Sequence, residues 1–202
     1  MKKIGIMGGT FNPIHVGHLM LAENAYAFCE LDEVWFMPSA DPPHKTHQNV
    51  LAYEHRSAMT ELAIQSVPYF IKSDFETERT EHSYTAETLR LLHEKYPDTE
   101  FYFIMGADSL FQIETWYEPH HVMERAILLV AIRDHHSISE MQQQIDYLKL
   151  KYHARIHLMN MPGIDLSSNF IRNRVQQNET IRFFVPDAVR DYIYAHNLYR
   201  GE

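Results

Sequence analysis

His15 and His18 stand one helical turn apart, with Gly17 between them, behind the pair Gly8 and Gly9 in KIGIMGGTFNPIHVGHL, residues 3–19. Imidazoles donate hydrogen bonds to anions. A chain that leaves a strand through glycines and starts a helix presents free backbone N–H groups at the positive end of the helix dipole. The chemistry this combination supports is phosphate handling, with a nucleotide as the natural carrier. Gly17 would let a ligand approach the backbone between the two rings, which share one helix face at i and i+3. The chain has neither G-x-x-x-x-G-K-[ST] nor G-x-G-x-x-G at this point, so the P-loop and the usual dinucleotide fingerprint are both excluded. Zinc ligation and a purely structural pair compete with this reading. Zinc needs a third protein ligand, and no recognisable spacing supplies one.

Further along, Ser167 and Ser168 precede a helical pattern carrying Arg172. Serine at a helix start is an ordinary N-cap, and the arginine could be solvated. The same arrangement also makes a second set of N–H donors, with a guanidinium one turn on that suits bidentate phosphate binding. Asp108 follows Gly106 at a predicted strand end, where a turn accounts for both residues. Trp116 and Tyr117 lie between Glu114 and Glu118 in QIETWYEPHH. Core packing is the usual fate of Trp, but this polar stretch predicts poor burial, and stacking on a flat ring is the alternative. Thr85 opens a helical pattern, where capping is the ordinary role. His44 and Lys45 sit on a proline-stiffened loop and Arg133 follows a strand; each could be plain surface charge. The pairs His120-His121 and His135-His136 read as exposed turns, and residues 76–81 as a solvated charged loop.

These residues need a frame. Apolar runs predict strands over residues 4–7, 33–37, 69–72, 101–105, 126–132 and 155–158. Helical patterns run over 18–29, 54–65, 86–95, 138–150 and 168–176, with another after Pro186. Such alternation implies βαβ units and a Rossmann-like, doubly wound α/β fold with a mostly parallel sheet. Ligands of such sheets bind beyond the carboxyl ends of the strands, at the topological switch point. The glycines and polar residues gather at those ends, as a pocket requires. No repeat, low-complexity tract or linker interrupts the chain, so residues 1–202 are expected to form one domain.

Composition narrows the partners. A formal net charge of −9 argues against DNA or RNA, and it makes the few clustered cations more informative. One cysteine, Cys29, excludes an internal disulfide framework and fits a reducing compartment. No apolar run reaches the ~18 residues of a membrane span and no secretory leader opens the chain, so no membrane partner is expected and the cytoplasm is. A homo-oligomer is left open.

GTFNPIHVGH resembles the signature of the nucleotidylyltransferase superfamily, whose members carry (H/T)-x-G-H after the first strand. The longer form is similar to that of the nicotinate/nicotinamide mononucleotide adenylyltransferases, and the bacterial nicotinate-preferring branch fits best. Near the C-terminus, LSSNFIR resembles ISSTxIR, with Asn169 at the usual Thr position. The resemblance implies ATP-dependent adenylyl transfer to nicotinate mononucleotide, with Mg²⁺ carried by the ATP phosphates. It implies that His15, His18 and Arg172 act in catalysis, His18 most directly. It further implies ATP contacts from Gly8, Gly9, Thr10, Phe11, Gly106, Asp108 (on ribose), Ile132, Ser167 and Ser168. Substrate contacts are implied for Lys45, His44, Arg133, Thr85, Trp116 and Tyr117, with the N–H groups at Thr85 holding the nicotinate carboxylate. The rivals are a preference for nicotinamide mononucleotide, a phosphopantetheine or cytidylyl transferase, a histidine-rich metal hydrolase and a non-catalytic nucleotide sensor.

Overall fold

Six parallel strands form one sheet in the order β3-β2-β1-β4-β5-β6. In this computed structural model, which describes residues 1–40, 50–77, 84–132, 137–160 and 165–200, they are β1 (Lys2–Gly9), β2 (Glu33–Pro38), β3 (Phe70–Lys72), β4 (Thr99–Gly106), β5 (Ile127–Ala131) and β6 (Arg155–Met159). The helices are α1 (Val16–Cys29), α2 (Tyr53–Ile64), α3 (Thr85–Lys95), α4 (Ala107–Gln112), α5 (Pro119–Arg125), α6 (Ile138–Tyr152), α7 (Ser168–Gln176) and α8 (Asp187–Ala195). All six expected strands are present, and the sheet is parallel throughout.

Strand alternation explains how both faces are filled. Ile4 and Ile6 point to one side with Phe101, Phe103, Leu128 and Val130, where α3, α4, α5 and α6 supply Leu89, Leu110, Val122 and Ile145. Met7, Tyr102, Ile104 and Leu129 point to the other, against Ala22 of α1, Met59 of α2, Ile171 of α7 and Val189 of α8. A sheet covered on both faces needs apolar residues at successive strand positions, which is why the central strands β1, β4 and β5 carry continuous buried runs. Helix ends follow local chemistry. α6 starts with a capping box, in which Ser137 Oγ accepts from the Glu140 N–H at 3.2 Å and Glu140 accepts from the Ser137 N–H at 2.9 Å. It ends where His153 turns left-handed at φ 54°.

Three elements depart from the sequence reading: α4, a 3₁₀ turn at Ile113–Thr115, and α5. The Gly106 strand end runs straight into α4, so Asp108 stands on a helix rather than in a turn. His120 and His121 likewise belong to α5. β1 pairs with β2 on one side and β4 on the other, so the winding direction reverses between β1 and β4. The strands end there at Gly9 and Gly106, and the crevice beyond them is where a ligand of this topology sits. Among the described residues no helix is long and apolar enough to cross a membrane.

Candidate active site

The loop leaving β1 is shaped by one glycine and one strained aromatic. Phe11 adopts a left-handed backbone, φ 47°, which costs a non-glycine residue about 1–3 kcal/mol. Its ring lies so close to Gly9 that a Cβ there would stand 2.9 Å from it. Gly9 is therefore required by the position of Phe11. The Phe11 ring is 2% exposed and meets His18 edge-on, with centroids 5.1 Å apart. His15 ends the loop as the extended N-cap of α1, φ −146° and ψ 168°. Its backbone N–H donates to His18 Nδ1 at 3.2 Å. That bond assigns the proton of a neutral His18 to Nε2, leaving this nitrogen as a donor. The two imidazoles stack at 3.7 Å. His15 is buried behind, and His18 is half-exposed in front.

The second serine-arginine motif closes on this loop across 155 to 160 residues of chain. Ser168 Oγ donates to the Pro13 carbonyl at 2.8 Å, and Arg172 Nη1 donates to the Asn12 carbonyl at 2.9 Å. Arg172 Nη2 donates to Asn169 Oδ1 at 3.0 Å, so the Asn at the usual Thr position steadies the guanidinium. Ser167 Oγ caps α7 by accepting from the Phe170 N–H at 3.1 Å, the ordinary capping role. Asn12 is buried, and its side-chain oxygen accepts from the Leu51 N–H at 3.3 Å and the Tyr199 hydroxyl at 3.0 Å. Burial pushes the Tyr199 phenol well above its ordinary pKa, which keeps it a donor.

A cavity of about 640 Å³ opens beside the loop, within the usual range for a small-molecule site. Of the expected residues, Gly8, Gly9, Thr10, Thr85, Trp116 and Tyr117 line it. His15, His18, Ser168 and Arg172 do not; they are joined to it through the loop over residues 10–14. Trp116 is half-buried and packs edge-on against Phe103 at 5.8 Å, so it is less exposed than its polar neighbours suggest. Tyr117 is 52% exposed and stacks on Tyr84 at 4.5 Å. Thr85 is the first residue of α3. Tyr84 precedes it in extended conformation and offers no side-chain cap.

Sequence reasoning missed several lining residues, among them Met37, Ser39, Glu76, Tyr84 and Thr88. The charged run predicts a solvated Glu76, yet Glu76 lines the cavity and its carboxylate accepts from the Thr88 hydroxyl at 3.1 Å. Ser39 Oγ is shielded from solvent and has no hydrogen-bond partner among the described residues. Gly106 is the N-cap of α4, with exposed Asp108 in its first turn. Ile132 already donates its N–H to the Met159 carbonyl at 3.4 Å, leaving only its own carbonyl for a ligand. His44, Lys45 and Arg133 lie outside the described residues. Among the described residues no group of three or more His, Cys, Asp or Glu could hold a metal ion.

The comparisons with known proteins agree with this architecture. The cytidylyltransferase-like family model matches residues 6–174. A "probable nicotinate-nucleotide adenylyltransferase" of Lachnoclostridium phytofermentans is 49% identical over 98% of this chain and 100% of its own. A protein of the same name from Carboxydothermus hydrogenoformans is 40% identical, covering 98% of each chain. The fold matches a Plasmodium falciparum nicotinic acid mononucleotide adenylyltransferase complexed with NaAD, with a TM-score of 0.82 at 23% identity over 98% of both chains. The same protein complexed with APC gives a TM-score of 0.80 at 22% identity, again over 98% of both chains. With a family model spanning most of its length and full-length relatives at this identity, the chain belongs to the nicotinate-nucleotide adenylyltransferase family, within the cytidylyltransferase-like group.

Proposed function

We propose that this chain transfers the adenylyl group of ATP to nicotinate mononucleotide, yielding deamido-NAD and pyrophosphate. The observation that carries this is the meeting of the two phosphate motifs, with Ser168 and Arg172 bonded to the loop that leads into His15 and His18. Relatives that match at full length and carry the adenylyltransferase name support the same reading.

The reaction needs no covalent enzyme intermediate. A phosphate oxygen of the mononucleotide, already ionised, attacks the α-phosphorus of ATP in line. A P–O bond forms there as the α–β bridging bond breaks, and pyrophosphate leaves with the electron pair. Positioning and charge neutralisation are then the whole task. His18 donates from Nε2 to the leaving phosphates, with its tautomer held by the His15 N–H. Gly8, Gly9, Thr10 and Phe11 offer backbone N–H groups. His15, Ser167, Ser168 and the free edge of Arg172 complete the triphosphate side. Gly106 and Asp108 take the ribose, and the Ile132 carbonyl meets the adenine edge. Thr85, with the donors at the start of α3, receives the nicotinate carboxylate, which favours an anionic ring substituent over an amide. Trp116 and Tyr117 flank the pyridine, while Lys45, His44 and Arg133 are assigned to the mononucleotide phosphate.

Mg²⁺ fits as a companion of the substrate, carried on phosphate oxygens and water, where it would spread the charge of the departing pyrophosphate. The described side chains offer no three-ligand cage that would hold it otherwise. We place the enzyme in the cytoplasm, as a single domain, with small molecules as its partners. Pyrophosphate release with ATP and each pyridine mononucleotide in turn tests the reading. Faster turnover of the nicotinate form supports it, faster turnover of the amide reverses the acceptor, and no release with either overturns it.

A further inference from the structure

Arg56 of α2 is one of the largest fully buried side chains, at 1% exposure. No carboxylate among the described residues pairs with it. Instead each of its nitrogens donates to a different backbone carbonyl: Nε to Leu51 at 3.0 Å, Nη1 to Thr10 at 2.8 Å and Nη2 to Ala40 at 3.3 Å. The Tyr53 ring lies 5.6 Å from its Cζ. Burial pushes the guanidinium below its ordinary pKa, though arginine stays charged in proteins. A buried charge with no carboxylate in contact among the described residues is a costly way to fill space, and an apolar side chain of similar volume would pack there more favourably. What an apolar side chain cannot do is hold three carbonyls from three separate segments in one plane.

One of those segments is the phosphate loop. Three of its carbonyls are taken by side-chain donors: Thr10 by Arg56, Asn12 by Arg172 and Pro13 by Ser168. With the Thr10 carbonyl drawn onto the buried Arg56, that negative end is kept from a bound polyphosphate, while Gly8, Gly9 and Thr10 line the cavity. We propose that Arg56 is a positioning residue for adenylyl transfer, holding the Thr10 carbonyl away from the triphosphate by a planar brace that also fixes residues 40 and 51. Its buried positive charge lies behind the loop, in a chain whose overall charge is −9.

The inference rests on the proposed reaction, and its test separates the two. Arg56→Met and Arg56→Lys are compared with wild type by steady-state pyrophosphate release, by calorimetry with Mg·ATP, and by circular dichroism at the assay temperature. The Met variant, folded, should lose roughly 10- to 100-fold in kcat and bind ATP more weakly, as expected when a loop shifts by fractions of an ångström. The KM for the mononucleotide should move less than kcat. Lysine keeps the charge but cannot span three carbonyls, so its kcat should fall between the other two. Should the Met variant fail to fold, the Lys variant decides alone. A folded variant with kcat and ATP affinity within about twofold of wild type, whatever its melting temperature, overturns the brace. Wild-type protein that binds ATP but releases no pyrophosphate overturns the reaction instead, and the ATP affinities of the variants still judge Arg56.

Discussion

At one end of the cavity the braces run from buried or half-buried side chains to backbone carbonyls of the phosphate loop. At the other, the walls are aromatic rings resting on one another, Tyr84 on Tyr117 and Trp116 on Phe103. The first construction fixes direction, because each hydrogen bond sets which way a peptide unit faces. The second fixes only a surface, on which a flat ring can slide by several tenths of an ångström at little cost. Charge develops and departs at the phosphate end, where misdirected donors lose rate. The pyridine end has only to hold a ring, and loosening it should weaken binding. Changes at the two ends should therefore separate into kcat and KM.

The sharpest test is His18→Ala. It removes the Nε2 donor and also the acceptor for the His15 N–H, while leaving the Gly9 and Phe11 packing in place. Turnover should fall ~10²–10³-fold with a native circular dichroism spectrum, as for loss of one preorganised donor. Activity near wild type would break the assignment of the phosphate end. Arg172→Ala comes next. It strands the Asn12 carbonyl and the Asn169 side chain, and a hydrogen bond from a charged group contributes about 1.5–3 kcal/mol. The expected loss in kcat is roughly 10- to 100-fold, with a lower melting temperature. Trp116→Ala, at the other end, should raise the KM for nicotinate mononucleotide about three- to tenfold while the KM for ATP changes by less than about twofold. Equal changes for both substrates would erase the contrast between the ends.

The same contrast governs what could be read from the amino-acid order. The phosphate loop was legible because local spacing encodes it: Gly9 admits Phe11, and His15 and His18 lie one turn apart. The sheet was legible because its central strands β1, β4 and β5 bury both faces. What escaped depends on distance or brevity. Helices α4 and α5 have six and seven residues, too few to show a periodic face. Arg56 stands in EHRSAMTEL, among charges that suggest a wet surface. Yet it falls three and four residues before buried Met59 and Thr60, and that offset marks the inward face of α2. Glu76 gave no such sign. It heads a charged run, and only the fold of β3 toward α3 brings it to the Thr88 hydroxyl. Ser168 and Arg172 were assigned to the triphosphate, but their bonds to Pro13 and Asn12 depend on tertiary placement that spacing does not carry.

The smallest effect lies at Glu114, two residues before Trp116. Its Oε1 accepts from Lys151 at 2.7 Å, Tyr152 at 2.8 Å and Tyr147 at 3.2 Å, all on α6. The Lys151 hydrogen bond, followed by that of Tyr152, holds the carboxyl below its ordinary pKa of 4.5. A carboxyl lowered on folding contributes stability above its unfolded pKa, and that contribution fades as pH falls through the folded value. Glu114→Gln should thus melt slightly below wild type at pH 7, with the gap closing below about pH 4.5. Because these groups are solvent-accessible, ~0.5 M salt should narrow the gap as well. The KM for the mononucleotide should rise by less than about twofold, since α5 and Phe103 still hold the turn. The Arg56 brace of the phosphate end is shielded from solvent, so the kcat loss of Arg56→Met should be nearly indifferent to the same salt. If salt moved both equally, direction at the phosphate end would not come from buried bonds, and the distinction between the two ends would fail.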